Sequence, residues 1–171
     1  MEKSNTTDYT LLTMMTEKNK VYYIDGDGKL QGLITNYYPN SNQIYSQCSV
    51  IDGLVNGPYK YYYEDGNLKV EENYSMGVLH GLYKVLHQDG FLLLIGQYKD
   101  GKCVGTWTTW WNNEILQSTG SYINGLKDGE WTYYHENGNK KEEGSYRNGI
   151  KVGEWIYYEV NGKESRIEMY P

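Results

Sequence analysis

Residues 129–149 read Gly129-Glu130-Trp131-Thr132-Tyr133-Tyr134-His135-Glu136-Asn137-Gly138-Asn139-Lys140-Lys141-Glu142-Glu143-Gly144-Ser145-Tyr146-Arg147-Asn148-Gly149. A type I′ turn needs positive φ at both central residues, which Asn and Gly tolerate. Asn137-Gly138 therefore marks a two-residue hairpin, and Asn148-Gly149 marks a second turn. The residues between them are rich in Trp, Tyr and Thr and read as short strands. With Asn137-Gly138 central, Glu136 faces Asn139, which sets Trp131 opposite Gly144 and Tyr133 opposite Glu142. An indole lying over bare backbone repairs the weakness of Gly in a strand, so the Trp131 ring is expected over Gly144. Period-two alternation places Tyr146 on the Trp131 face and Tyr134 on the other.

The pattern recurs along the chain. Gly57, Gly81, Gly105, Gly129 and Gly153 are 24 residues apart, and Gly32 precedes Gly57 by 25. Counting from each of these glycines as zero, position 2 holds Ile34, Tyr59, Tyr83, Trp107, Trp131 and Trp155. Position 17 holds Tyr74, Tyr98, Tyr122, Tyr146 and Tyr170. Turn pairs return at Asp65-Gly66, Asp89-Gly90 and Asn161-Gly162, and at Asp52-Gly53, Asp100-Gly101 and Asn124-Gly125. Of the 20 glycines only Gly26 falls off this frame. The units are 32–56, 57–80, 81–104, 105–128, 129–152 and 153–171, in one elongated, twisted, all-β antiparallel meander of roughly a dozen strands. Burying one aromatic per unit removes ~150–250 Å² from water, worth roughly 4–6 kcal/mol before entropy is charged. No unit stands alone on that, but stacked units do.

Composition agrees. The chain has 171 residues, 20 tyrosines, 5 tryptophans and no alanine, the best helix former. Twenty-two acids against 16 bases give a net charge of -6, the wrong sign for a binder of nucleic-acid backbone or of an anionic membrane surface. The longest apolar run, Phe91-Leu92-Leu93-Leu94-Ile95, is far shorter than the ~20 residues of a spanning helix. The N-terminal residues lack the basic and apolar regions of a secretory signal. Cys48 and Cys103 fall at different repeat positions and form no metal motif, so they read as free thiols in a reducing, cytoplasmic setting.

The stretch 129–149, with Gly153-Glu154-Trp155-Ile156-Tyr157-Tyr158 opening another copy, resembles the MORN-repeat variant of bacterial proteins. The resemblance covers about residues 32–171 and is best in 57–171. It implies an elongated β-sheet module. Many members of the variant family are described as the antitoxin or immunity component of bacterial toxin–antitoxin pairs. MORN proteins more widely resemble scaffolds that bind membranes or proteins.

Residues 1–31 differ, and are expected to supply an N-terminal cap and a degenerate half-repeat. Leu11, Leu12, Met14 and Met15 suit either a short helix from near Thr7 or Asp8, or a strand. Residues 9–24 are expected to cap the open end, and Val21 to Gly28 to form half a repeat.

No catalytic constellation is visible. His80, His87 and His135 have no partner at ligand spacing, so no metal or cofactor is expected. Glu71-Glu72 and Glu142-Glu143 are neighbours on a strand and face opposite ways. One feature points to function: position 5 holds Tyr37, Tyr62, Trp110, Tyr134 and Tyr158, interrupted by Leu86. Such a row is either a second packing layer of a curled sheet or a partner-binding strip, since Tyr and Trp concentrate interface energy. The expectation is a non-catalytic protein-binding module: an antitoxin or immunity protein that neutralises a cognate toxin encoded nearby. A structural scaffold for membrane or cytoskeletal proteins is the alternative.

Overall fold

The computed structural model describes residues 12–171, so the expected helix start near Thr7 lies outside the described residues. From Thr13 onward the chain is strand and turn. The strands are β1 (Thr13–Glu17), β2 (Lys20–Ile24), β3 (Leu30–Tyr37), β4 (Ile44–Ile51), β5 (Leu54–Tyr62), β6 (Leu68–Ser75), β7 (Val78–Leu79) and β8 (Gly81–Leu86). They continue as β9 (Leu92–Lys99), β10 (Lys102–Trp110), β11 (Leu116–Ile123), β12 (Leu126–Tyr134), β13 (Lys140–Arg147), β14 (Ile150–Tyr158) and β15 (Glu164–Tyr170). All belong to one antiparallel sheet in which each strand pairs with its neighbours in sequence, β7 being a short piece on β6 just before β8. Side by side at ~4.8 Å, the fourteen strands of the main path span roughly 62 Å. The accessible surface is 10830 Å², against about 8,700 Å² for a compact globule of 19.9 kDa, as a single-layered sheet requires.

The two families of turns are chemically distinct. At Asn148-Gly149 both central residues have positive φ, 50° and 83°, and Arg147 pairs with Ile150, which is a two-residue type I′ hairpin. The turn at Asn137-Gly138 differs from the sequence expectation. The Gly138 N–H donates to the His135 carbonyl and the His135 N–H to the Asn139 carbonyl, enclosing three residues, of which only Gly138 has positive φ. The extra turn residue is offset by a bulge, because Tyr133 faces Glu142 while Tyr134 faces Lys140. The two one-residue displacements cancel, so Trp131 does face Gly144.

A second irregularity sits at the zero-position glycines. Gly120 faces Trp131, but the next residue, Ser121, faces Asp128, leaving Gly129 and Glu130 unpaired on that side. The same jump occurs at Gly153, between the Gly144–Trp155 and Ser145–Val152 pairs. Gly129 has φ 80° and Gly153 has φ 64°, values that a side chain with a Cβ rarely adopts. The frame glycine is thus a bulge residue repeated once per unit.

Trp131 is flanked by glycine on both neighbouring strands, Gly120 on β11 and Gly144 on β13. A Cβ on Gly120 would overlap the Trp131 ring, whereas a Cβ on Gly144 would overlap Trp155. Each indole therefore lies on the glycine of the preceding unit: Trp107 on Gly96, Trp131 on Gly120, Trp155 on Gly144. The expected Trp131–Gly144 seat is corrected by one unit. The three indoles are 8%, 3% and 0% exposed, the best-buried aromatic side chains of the sheet among the described residues. Tyrosines fill the gaps edge-on, with Tyr122–Trp131 and Tyr146–Trp155 ring centroids 5.2 and 5.0 Å apart. At the N-terminal end a small aliphatic cluster of Ile34, Cys48 and Val50, packed by Tyr22, Leu30, Val55 and Tyr59, replaces the indole ladder.

Candidate functional site

The ring face is more polar than aromatic periodicity suggests. Two residues before Gly129 and Gly153, Lys127 and Lys151 point into the aromatic row. The Lys127 ammonium lies 4.2 Å from the Trp131 ring centroid and donates to the Tyr133 hydroxyl at 2.6 Å. Lys151 lies 3.7 Å from the Trp155 centroid and donates to Glu142 Oε2 at 2.8 Å and to the Tyr157 hydroxyl at 3.1 Å. Burial pushes the pKa of Lys127 down. Burial acts on Lys151 in the same direction, but its bonds to Glu142 and Tyr157 outweigh it and raise its pKa. At the equivalent frame position the earlier units carry Val55, Leu79 and Cys103. Both cysteines are free, Cys48 buried and Cys103 half-buried.

The position-5 residues occupy the other face. Tyr37, Tyr62, Trp110, Tyr134 and Tyr158 are the last residues of β3, β5, β10, β12 and β14, each at the bulge that precedes a turn. All five are half-buried. Neighbouring units place them two strands apart, about 9.6 Å. No ring contact joins two of them among the described residues, unlike the continuous row on the ring face. Tyr158 is held by its hydroxyl, which donates to Glu143 Oε1 at 2.6 Å, and this bond pushes its pKa up to about 12. Burial raises the pKa of Tyr62. A shallow recess beside them is lined by Glu130, Thr132, Glu143, Ser145, Glu154 and Ile156, so acids flank the aromatic row at its C-terminal end.

The position-6 residues hold this row in place, and sequence reasoning passed them over. The Tyr38 hydroxyl donates to the Tyr62 carbonyl at 2.7 Å, and the Tyr63 hydroxyl to the Leu86 carbonyl at 2.9 Å. Trp111 Nε1 donates to the Tyr134 carbonyl at 3.3 Å, and His135 Nε2 to the Tyr158 carbonyl at 3.1 Å. The His135 acceptor is a carbonyl, which fixes its proton on Nε2. Four of the units thereby grip the position-5 backbone of the next, the exception being 81–104, whose position-6 residue His87 instead stacks on Phe91. Turn tips are joined likewise, Asn113 Nδ2 donating to the Glu136 carbonyl and Asn137 Nδ2 to the Val160 carbonyl. The period of 24 and the donor chemistry of Tyr, Trp and His at one frame position were the signal.

Among the described residues no group of three His, Cys, Asp or Glu side chains could hold a metal ion, and no helix is long and apolar enough to cross a membrane. The MORN repeat variant matches the chain twice, at residues 55–76 and 127–148. Both matches run from just before a frame glycine to the next type I′ turn, and the intervening units repeat the same strands and bulges. MORN repeats are generally non-enzymatic modules, and the match suggests a repeat module for binding proteins or membranes. None of the curated proteins compared with the chain matches it.

Proposed function

We propose that the chain is a non-catalytic antitoxin or immunity protein of a bacterial cell, acting in the cytoplasm by direct binding to a cognate protein toxin encoded beside it. The observation that carries this reading is the position-5 row. Tyr62, Trp110, Tyr134 and Tyr158 are large amphipathic rings that recur on one face at the 24-residue frame, and Tyr62, Tyr134 and Tyr158 are backed by hydrogen bonds to their own carbonyls, Tyr158 also by one to Glu143. A preorganised aromatic row loses little side-chain freedom on binding, and a few such residues carry most of an interface's energy. The acids beside the row and the net charge of -6 suit a basic partner, such as an enzyme that acts on nucleic acid, and speed its capture. The test is calorimetric titration of the neighbouring toxin with wild type, Tyr62→Ala and Tyr134→Ala, alongside their melting curves. Each truncation is expected to cost about 2 kcal/mol of binding, roughly thirtyfold in Kd, with the fold kept. Folded variants with wild-type affinity would move the binding surface off this row.

A further inference from the structure

The ring face contains one break. Between the aliphatic cluster and the indole ladder, a recess of about 250 Å³ is lined by Tyr45, Tyr61, Lys69, Val70, Glu72 and Tyr83. It lies where the ladder lacks an indole. Position 15 is glycine in the units that seat Trp107, Trp131 and Trp155, but it is Glu72 here, and the next unit offers Tyr83 rather than Trp.

The last unit shows how the same frame positions behave when filled. There Tyr157 faces Arg166 and Trp155 faces Glu168, just as Tyr61 faces Val70 and Tyr59 faces Glu72. The Tyr170 hydroxyl donates to Glu168 Oε2 at 2.6 Å, and the Tyr74 hydroxyl to Glu72 Oε2 at 2.7 Å. In the last unit the remaining oxygen is taken: Arg166 Nε donates to Glu168 Oε1 at 2.7 Å while its guanidinium carbon lies 4.0 Å from the Tyr157 ring centroid. In unit 57–80 the arginine position is Val70, whose side chain is short and neutral. The other half-buried strand glutamates, Glu71, Glu142, Glu143 and Glu168, each have a basic partner, whereas none lies within ion-pair distance of Glu72 among the described residues. Lys69 reaches the recess rim, but its ammonium lies over the Tyr63 ring at 5.3 Å.

We infer that this recess receives an arginine side chain from a protein partner, its guanidinium stacked on Tyr61 and paired with Glu72 Oε1, as Arg166 is stacked on Tyr157 and paired with Glu168. A planar guanidinium suits the seat because it stacks on a ring with its face and donates to a carboxylate with its edge. The inference rests on the reading of the chain as a protein-binding module, but it concerns the face opposite Tyr62 and Tyr134, so the two surfaces separate by mutation.

The experiment uses the full chain and needs no partner. An acetylated and amidated pentapeptide with one arginine among glycines is titrated into ¹⁵N-labelled protein, with lysine and citrulline versions as comparisons. Saturable shifts are expected at Tyr61, Val70, Glu72 and Tyr83, with millimolar affinity, for arginine and not for citrulline. Glu72→Gln, nearly isosteric, should weaken binding about fivefold or more. Val70→Arg should abolish it by filling the seat from within, as Arg166 does, and Lys69→Met should strengthen it by removing a like charge. Shifts that are absent from these residues, or that survive both Glu72→Gln and Val70→Arg, would overturn the assignment. Wild-type toxin affinity in the folded Tyr62 and Tyr134 variants would overturn the position-5 reading and leave a positive peptide result standing, whereas absent peptide shifts would overturn the arginine seat and leave the position-5 reading standing.

Discussion

The seat of each indole can be tested by a double-mutant cycle on Gly120 and Trp131. A Cβ at Gly120 would overlap the Trp131 ring, and the ring is rigid, so Gly120→Ala must lift it or shift β11 against β12. Overpacking of this kind costs about 1–3 kcal/mol. Trp131 is 3% exposed, so Trp131→Ala removes a fully buried indole at a cost of about 3–5 kcal/mol. Once the indole is gone, the added methyl meets no ring and the strand loses a flexible glycine, a gain of roughly 0.5–1 kcal/mol. Gly120→Ala is therefore destabilising in the wild-type background and neutral or stabilising in Trp131→Ala. Gly144→Ala should stay destabilising in the Trp131→Ala background, because its methyl meets Trp155. The assay is urea unfolding followed by circular dichroism, with melting points as a check at roughly 2–4 °C per kcal/mol for a chain of this size. Additive effects of Gly120→Ala and Trp131→Ala, or strong coupling of Gly144→Ala to Trp131 instead, would refute the assigned seats.

Other outcomes follow from the same packing. Burial, followed by hydrogen bonds and nearby charged groups, raises the pKa of Tyr61, Tyr74, Tyr98 and Tyr133 above the ordinary tyrosine value of 10.0, that of Tyr98 to about 12. The unfolded chain loses these protons first, so their contribution is complete below pH 10 and is lost as pH rises through 10–12 and above. Tyrosine absorbance and circular dichroism should change together in that window, and ionisation of all twenty tyrosines near pH 10 without unfolding would contradict it. Asn148→Ala forces a Cβ residue without a local polar side chain into φ 50° and should cost about 1–2 kcal/mol, while Asn148→Gly should cost little, measured by urea denaturation. Tyr62 on β5 and Tyr134 on β12 lie six strands apart, roughly 29 Å, so Tyr62→Ala and Tyr134→Ala should act independently on toxin affinity, and calorimetry on the double variant checks their additivity.

How much of this was legible depends on what each residue type demands. Asn148-Gly149 and its equivalents announced their turns because few other pairs accept two positive φ values. Asn137-Gly138 is ambiguous in principle, since a three-residue turn also ends on a left-handed glycine. The register came out right there because the bulge at Tyr134 cancelled the longer turn. The indole seat was not legible from pairing alone, since Gly120 and Gly144 both face Trp131. Co-occurrence across units would have settled it: Gly96, Gly120 and Gly144 are each followed by a unit with Trp at position 2, while Glu72 is followed by Tyr83. Lys127 and Lys151 were missed because charge is usually solvated, yet here the aromatic faces and Glu142 hold them in the row. The position-5 residues were identified as a row from their period, but their isolation from one another follows from the single-layer architecture. The turn at one end of each hairpin and the bulge beside it set their half-buried state.

Growth of cells that express the toxin encoded beside this gene, with and without the chain, tests the central functional claim most directly. Wild type should restore growth and co-purify with the toxin in a stoichiometric complex, while folded Tyr62→Ala/Tyr134→Ala should do neither. Failure of the wild-type chain to bind or rescue, with both proteins present and folded, would contradict the antitoxin reading and favour a scaffold for other proteins.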